Sequence, residues 1–196
     1  MADKQRTISQ PVTLTGKGLH TGVDVEVTIC PAEVNTGVNF QRTDLEGQPK
    51  IEAVADNVID TSRGTSIGTK NVKVNTIEHM VAALYGMGID NALVKVNGPE
   101  MPIMDGSSRF FVEAIASVGT VEQGAIRNYF TIKEKMVFSD EKNGIEIVAY
   151  PDDGFSIDLM VDYNSRVLGH QYAKMGNIDE FASQIAPCRT FVFFHE

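Results

Sequence analysis

The chain has 196 residues, 42% of them apolar and 22% charged, with a formal net charge of -9. Those proportions are ordinary for a globular protein of one or two domains, and the acidic balance removes the broad basic field on which generic nucleic-acid binding depends. The polar opening Met1 to Thr7 is followed by no apolar run long enough for a signal core or a bilayer span, so the expected compartment is the cytosol.

Val23, Val25, Val27 and Ile29 alternate with Asp24, Glu26 and Thr28, which predicts a strand that Pro31 ends. Shorter strands are predicted at 38–41, 51–54, 66–68 and 92–96, each bounded by Gly, Asn, Asp or Pro. Ile77, Met80, Val81 and Leu84 have helical spacing after Thr76 as cap, and Gly86 and Gly88 close that segment. Glu78 and His79 then fall in the first turn, off the apolar stripe. A second helix has either Ser107 or Ser108 as its cap, Phe111, Ile115 and Val118 on its apolar face, and Gly119 as its stop.

After Gln123-Gly124 the pattern restarts, with strands expected at 129–132, 136–138, 144–149 and 155–161 and a helix at 178–185. A domain boundary is therefore placed near residue 124, giving units 1–124 and 125–196. The second is close to the size at which a lone core is marginal. It ends on the apolar run Thr190 to Phe194, which reads as an unfinished domain that would associate through its exposed strand edge. Cys30 and Cys188 are far apart and have no C-x-x-C partner, which favours buried reduced thiols over a disulfide framework or a thiolate metal cluster.

Chemistry can be sought first at Glu78-His79, where a carboxylate beside a metal-bound water can accept its proton while the imidazole ligates the metal. By itself a surface Glu-His pair is more often inert. The zincin order H-E-x-x-H is not met, because the order is reversed and Ala83 stands four residues after His79. His20 lies in the glycine-bracketed turn Gly18-Leu19-His20-Thr21-Gly22, where a structural hydrogen bond is the commoner role. Asn97 to Ser108 is a proline-stiffened loop leading into a helix cap, and Asp60 to Thr65 is a loop bearing the cation Arg63. A hydroxyl at Thr190 can donate to a developing oxyanion, although threonine is also simply a good strand former.

In order and spacing these fragments resemble one family. Lys4-Gln5-Arg6-Thr7-Ile8, Gly16 to Gly22, Asn35-Thr36-Gly37-Val38, Arg42-Thr43-Asp44, Val74 to Leu84, Gly88-Ile89-Asp90-Asn91, Pro99 to Ser107, Gly154 to Asp158, Asp162-Tyr163-Asn164 and Cys188-Arg189-Thr190-Phe191 are similar to UDP-3-O-acyl-N-acetylglucosamine deacetylase, the zinc hydrolase of bacterial lipid A synthesis. The resemblance implies an α+β fold of two related domains, each a small sheet layered on helices, with the active site between them. It implies hydrolysis of the acetamide on a UDP-linked, 3-O-acylated glucosamine, in which Zn2+ lowers the pKa of water and polarises the carbonyl.

On that resemblance Glu78 is the general base, His79 one zinc ligand and Thr190 the oxyanion-stabilising hydroxyl. Tyr163 and Phe191 match positions flanking the nucleotide or sugar, and Leu19, Ser62 and Arg63 lie where the family lines the acyl passage. The family's further zinc ligands, in a later H-K-x-x-D segment, are not found before Glu196, so the chain is expected to be an inactive piece of a longer enzyme. The competing expectation is a non-catalytic nucleotide-sugar or partner-binding module on the same fold.

Overall fold

Alternating patterns in the first half of the chain form β1 (Lys4–Ile8), β2 (Val12–Lys17), β3 (Asp24–Pro31), β4 (Val38–Arg42) and β5 (Lys50–Glu52), then the short β6 (Val58–Asp60), β7 (Ser66–Gly68) and β8 (Lys73–Val74). Helix α1 (Glu78–Gly86), β9 (Ala92–Val96), α2 (Arg109–Val118) and β10 (Thr120–Ile126) follow. The strands β11 (Met136–Asp140), β12 (Ile145–Ala149), β13 (Ile157–Asp162) and β14 (His170–Met175) come last. Few helices beside several small sheets make an α+β architecture, as the sequence predicts. The computed structural model describes residues 3–190. It divides into two compact units, the first formed by the residues up to Arg127 with those from Phe181 onward, the second by Asn128–Glu180.

The first unit is organised by a five-stranded sheet of order β2-β3-β9-β4-β5, in which β4 and β9 run parallel and the other neighbours antiparallel. Period-two alternation decides which face is buried: Val25, Val27 and Ile29 of β3, Val94 and Val96 of β9, Phe40 of β4 and Ile51 of β5 are almost wholly out of solvent. Each such side chain contributes about 1.5–3 kcal/mol through removal from water. Helix α1 buries Met80, Ala83 and Leu84, α2 buries Phe111, Val112 and Ile115, and the two helices pack on each other and, through α2, on β2. Of the stripes read from the sequence, Ile77, Met80, Leu84, Phe111 and Ile115 are buried, whereas Val81 and Val118 are half-buried and Ala83 and Val112 take inward places the spacing did not assign.

The pair β1·β10 is clasped to this sheet by Asn91. Its side-chain oxygen accepts from the amides of Thr36 (3.0 Å) and Gly37 (2.9 Å), and its amide nitrogen donates to Gln5 (2.9 Å) and Gln123 (2.7 Å), so all four hydrogen-bonding capacities of a buried asparagine are used. Beside it, Asp90 accepts from the Arg6 amide and from the Arg127 guanidinium at 2.8 and 2.7 Å. Strand β10 runs on to Ile126, opposite Lys4 of β1. In the same way Arg42 grips Asp44 through two nitrogens and donates to the Lys73 carbonyl, tying β4 to β8.

In the second unit, β11 pairs with β12 and β13 with β14 as separate antiparallel hairpins. Their apolar side chains, among them Phe138, Ile147, Leu159, Met160 and Tyr172, are exposed. The expected strand at 129–132 does not form: the backbone there is irregular, and Phe130 is 88% exposed. The expected helix at 178–185 is present over those residues, as a 3-10 helix at Ile178–Glu180 followed by a π-helix at Phe181–Ile185 rather than as an α-helix. The thiols are free, but the expectation of burial fails. Cys188 is exposed and Cys30 half-buried, since β3 alternation sends Cys30 to the face opposite Ile29. Among the described residues no helix is long and apolar enough to cross a membrane.

Gly86, at the end of α1, lies so close to Phe181 that a Cβ there would fall 2.0 Å from the ring. Helix propensity alone predicts that Gly86→Ala stabilises by up to about 1 kcal/mol. Packing predicts the reverse, a loss of about 1–3 kcal/mol, measurable as a lowered urea midpoint.

Candidate functional site

Glu78 and His79 open helix α1, and both side chains are half-buried. The residue before the helix cap is Thr76, at φ 59, a left-handed conformation that a β-branched residue adopts only under strain of about 1–3 kcal/mol. Thr76 therefore does not cap the helix as its sequence position suggests. Ile77 is the cap residue, without a side-chain bond, and the Thr76 hydroxyl turns inward to Glu100. The Glu78 carboxylate is fixed from the 60s loop: the Thr65 amide donates to Oε2 at 2.8 Å. Gly64, at φ +135, passes so near that a Cβ would stand 2.9 Å from Oε1.

His79 is held from another direction. The Ser108 hydroxyl, at the start of α2, donates to the His79 carbonyl at 3.0 Å rather than capping its own helix. Two residues earlier, the Gly106 carbonyl accepts the Thr190 amide at 2.8 Å. One short loop thus carries both the backbone of His79 and that of the exposed Thr190. Asp105, between them and Met104, accepts from the Ser107 hydroxyl at 2.6 Å and from Arg109 at 3.0 Å. The Ser107 hydroxyl bond is the leading reason its carboxyl lies below the ordinary value.

Behind these loops Glu100 is completely buried. Its Oε1 accepts from the His20 amide (3.0 Å) and the Thr76 hydroxyl (3.2 Å), and its Oε2 from the Thr21 amide (2.9 Å) and the Thr21 hydroxyl (2.7 Å). Burial alone would push its pKa up, but the four donors outweigh it and hold the pKa below the ordinary 4.5. Gly18 makes this approach feasible, since a Cβ there would lie 2.5 Å from Glu100 Oε2 and 2.4 Å from the Thr21 hydroxyl. The His20 ring in turn donates through Nε2 to the Arg63 carbonyl at 3.0 Å. His20 thus has the structural role that its glycine-bracketed turn predicts.

The structure therefore places Glu78, His79, Leu19, Ser62, Arg63 and Thr190 in the first unit, on segments joined by these bonds. Leu19 is 52% exposed, and Ser62 and Arg63 are exposed. Tyr163 is half-buried in the second unit, in the turn after β13. Phe191 lies outside the described residues. Sequence reasoning missed Glu100, although one signal was available: a lone carboxylate inside the apolar, proline-bracketed stretch Pro99-Glu100-Met101-Pro102. A catalytic zinc commonly takes three protein ligands. Among the described residues no group of three or more His, Cys, Asp or Glu side chains converges to hold a metal. These residues alone do not fit a zinc ion.

The α+β frame thus carries a carboxylate and an imidazole at the start of α1 and a hydroxyl on a segment bonded to the 106–108 loop. The family model described as LpxC, UDP-3-O-acyl N-acetylglycosamine deacetylase, matches residues 5–196, and the chain belongs to this family. It is 49% identical over 193 residues to a bifunctional enzyme LpxC/FabZ of Bacteroides thetaiotaomicron, covering 98% of this chain and 42% of that protein. The corresponding enzyme of Porphyromonas gingivalis is 47% identical over 193 residues, with the same coverage of 98% and 42%. A UDP-3-O-acyl-N-acetylglucosamine deacetylase of a Psychrobacter species is 39% identical over 198 residues, covering 98% of this chain and 65% of that relative. The chain thus spans less than two thirds of the length of each of these relatives.

Because the native Glu100 pKa lies below the unfolded value, the folded state binds fewer protons there. Its contribution to stability is therefore fully present above pH 4.5 and is lost as the pH falls through the depressed native value. In urea titrations the stability gap between the wild type and Glu100→Gln is expected to be wide at neutral pH and to narrow on acidification below that value.

Proposed function

We propose that the protein containing this chain is an amidase that removes the N-acetyl group of a UDP-linked, 3-O-acylated glucosamine, releasing acetate and a free amine. The observation that carries this reading is the anchorage of Glu78 by the 60s loop and of the His79 and Thr190 backbones by the 106–108 loop. The first is oriented by the Thr65 amide, and the other two are held by adjacent parts of the 106–108 loop. With Oε2 engaged by Thr65, the Glu78 carboxylate is held in place before substrate arrives. Glu78 takes the water proton as the new C–O bond forms. The Thr190 hydroxyl, on a backbone tied to Gly106, donates to the oxygen that gains negative charge. Glu78 then returns that proton to the nitrogen as the C–N bond breaks, so that the free amine leaves and the acetic acid formed loses its own proton to solvent.

Leu19 and the Ser62-Arg63 loop, bound together through His20, are assigned to the acyl side of the substrate. Tyr163 and Phe191 are assigned to its nucleotide or sugar. His79 is assigned as one zinc ligand, the remainder coming from parts of the protein outside this sequence. That reading is supported by the family match and by the greater length of the relatives.

In the full-length protein, Glu78→Gln is expected to lower kcat by about 10²–10⁴-fold with little change in KM, because the base acts in the transition state. An unchanged kcat would remove Glu78 from the mechanism. For the chain 1–196 alone, elemental analysis after dialysis should find well under one zinc per chain, and the deacetylation assay no turnover. Stoichiometric zinc together with turnover on the order of 1–10³ per second would overturn the view that ligands lie elsewhere.

A further inference from the structure

We propose that Glu100 is a positioning residue for this reaction, coupling the turn that carries Leu19 to the helix start that carries Glu78, so that acyl recognition and base alignment depend on one buried carboxylate. The inference rests on the proposed function above. It is argued from the paths by which Glu100 reaches both elements.

The direct path runs through Thr76. Its hydroxyl binds Glu100 Oε1 at 3.2 Å, and its left-handed backbone, two residues before Glu78, sets the angle at which α1 begins. A second path runs through the 18–22 turn. Glu100 takes the amides of His20 and Thr21, the His20 ring takes the Arg63 carbonyl, and two residues on the Thr65 amide takes Glu78 Oε2. Glu78 is therefore reached from Glu100 on both sides. Leu19, adjacent to the gripped His20, presents an exposed apolar side chain whose place is fixed by the same grip.

Glutamine cannot substitute. Each carboxylate oxygen faces one backbone N–H, His20 at Oε1 and Thr21 at Oε2, so either orientation of an amide sets its NH2 against a donor. The turn must then move away. No alternative tautomer or flip restores the pattern.

The test uses the full-length protein with two substrates, UDP-N-acetylglucosamine bearing a long or a short 3-O-acyl chain, and reads the ratio of their kcat/KM values. A fall in the amount of folded enzyme scales both substrates equally and leaves this ratio unchanged, which separates positioning from mere stability. Glu100→Gln is expected to reduce the long-to-short ratio on the order of tenfold and to lower kcat for the long-chain substrate. Thr21→Val, which removes one hydroxyl donor but keeps both amides and the side-chain shape, should move the ratio in the same direction by less, and it decides the matter should Glu100→Gln not fold. Wild-type ratios in the folded variants would overturn the role of Glu100 while leaving the deacetylase reading intact. A wild-type enzyme that deacetylates neither substrate would overturn both.

Discussion

A carboxylate withdrawn completely from water, with no cation among its hydrogen-bond partners, must be solvated by dipoles, and most of the geometry around the candidate site follows from how Glu100 obtains them. Two backbone amides and two hydroxyls converge on it. Leaving such a charge unsolvated would cost several kcal/mol, so the surrounding chain accepts local strain to avoid it. The 18–22 turn tightens until only glycine fits at Gly18, and Thr76 adopts a left-handed conformation ahead of α1. Strain of this kind is tolerated where the surrounding contacts over-determine the backbone.

The scaffold behind these loops is stiff for a different reason. Alternating apolar side chains on β3, β9 and β4 fill one face of the main sheet, and Asn91 uses every donor and acceptor it has to hold the β1·β10 pair to it. Several motifs shared with the family, among them Asp90-Asn91 and Arg42-Thr43-Asp44, are thus accounted for by structural bonds. The loops that carry Leu19, Arg63, Ser108 and Thr190 hang from this frame, which lets loop segments hold functional groups in fixed places. The second unit contrasts with it: two hairpins, each of only two strands, with apolar side chains exposed, a form that is marginally stable in water when alone.

On the proposed function Glu78 is the base, His79 a zinc ligand and Thr190 the oxyanion contact, and among the described residues no group of three or more metal-binding side chains converges. The relatives are longer than the matched segment, with 65% of the Psychrobacter protein and 42% of the Bacteroides protein covered.

The amino-acid sequence by itself determined the α+β class, most of the inward positions of β3, α1 and α2, and the family, because burial on a strand or helix follows the local period and family motifs are local strings. It also placed Glu78-His79 in the first turn of a helix. It did not determine what Thr76, Ser108 and Glu100 do. Thr76 and Ser108 stand where helix caps belong, yet their hydroxyls go to Glu100 and to the His79 carbonyl, partners 24 and 29 residues away. It likewise could not exclude a strand at 129–132, whose composition suits one, since a strand exists only where a partner accepts its ladder. Those choices were made by the tertiary structure, because the nearest donor to a buried charge, and the strand beside a given edge, are set by which distant segments the fold brings together.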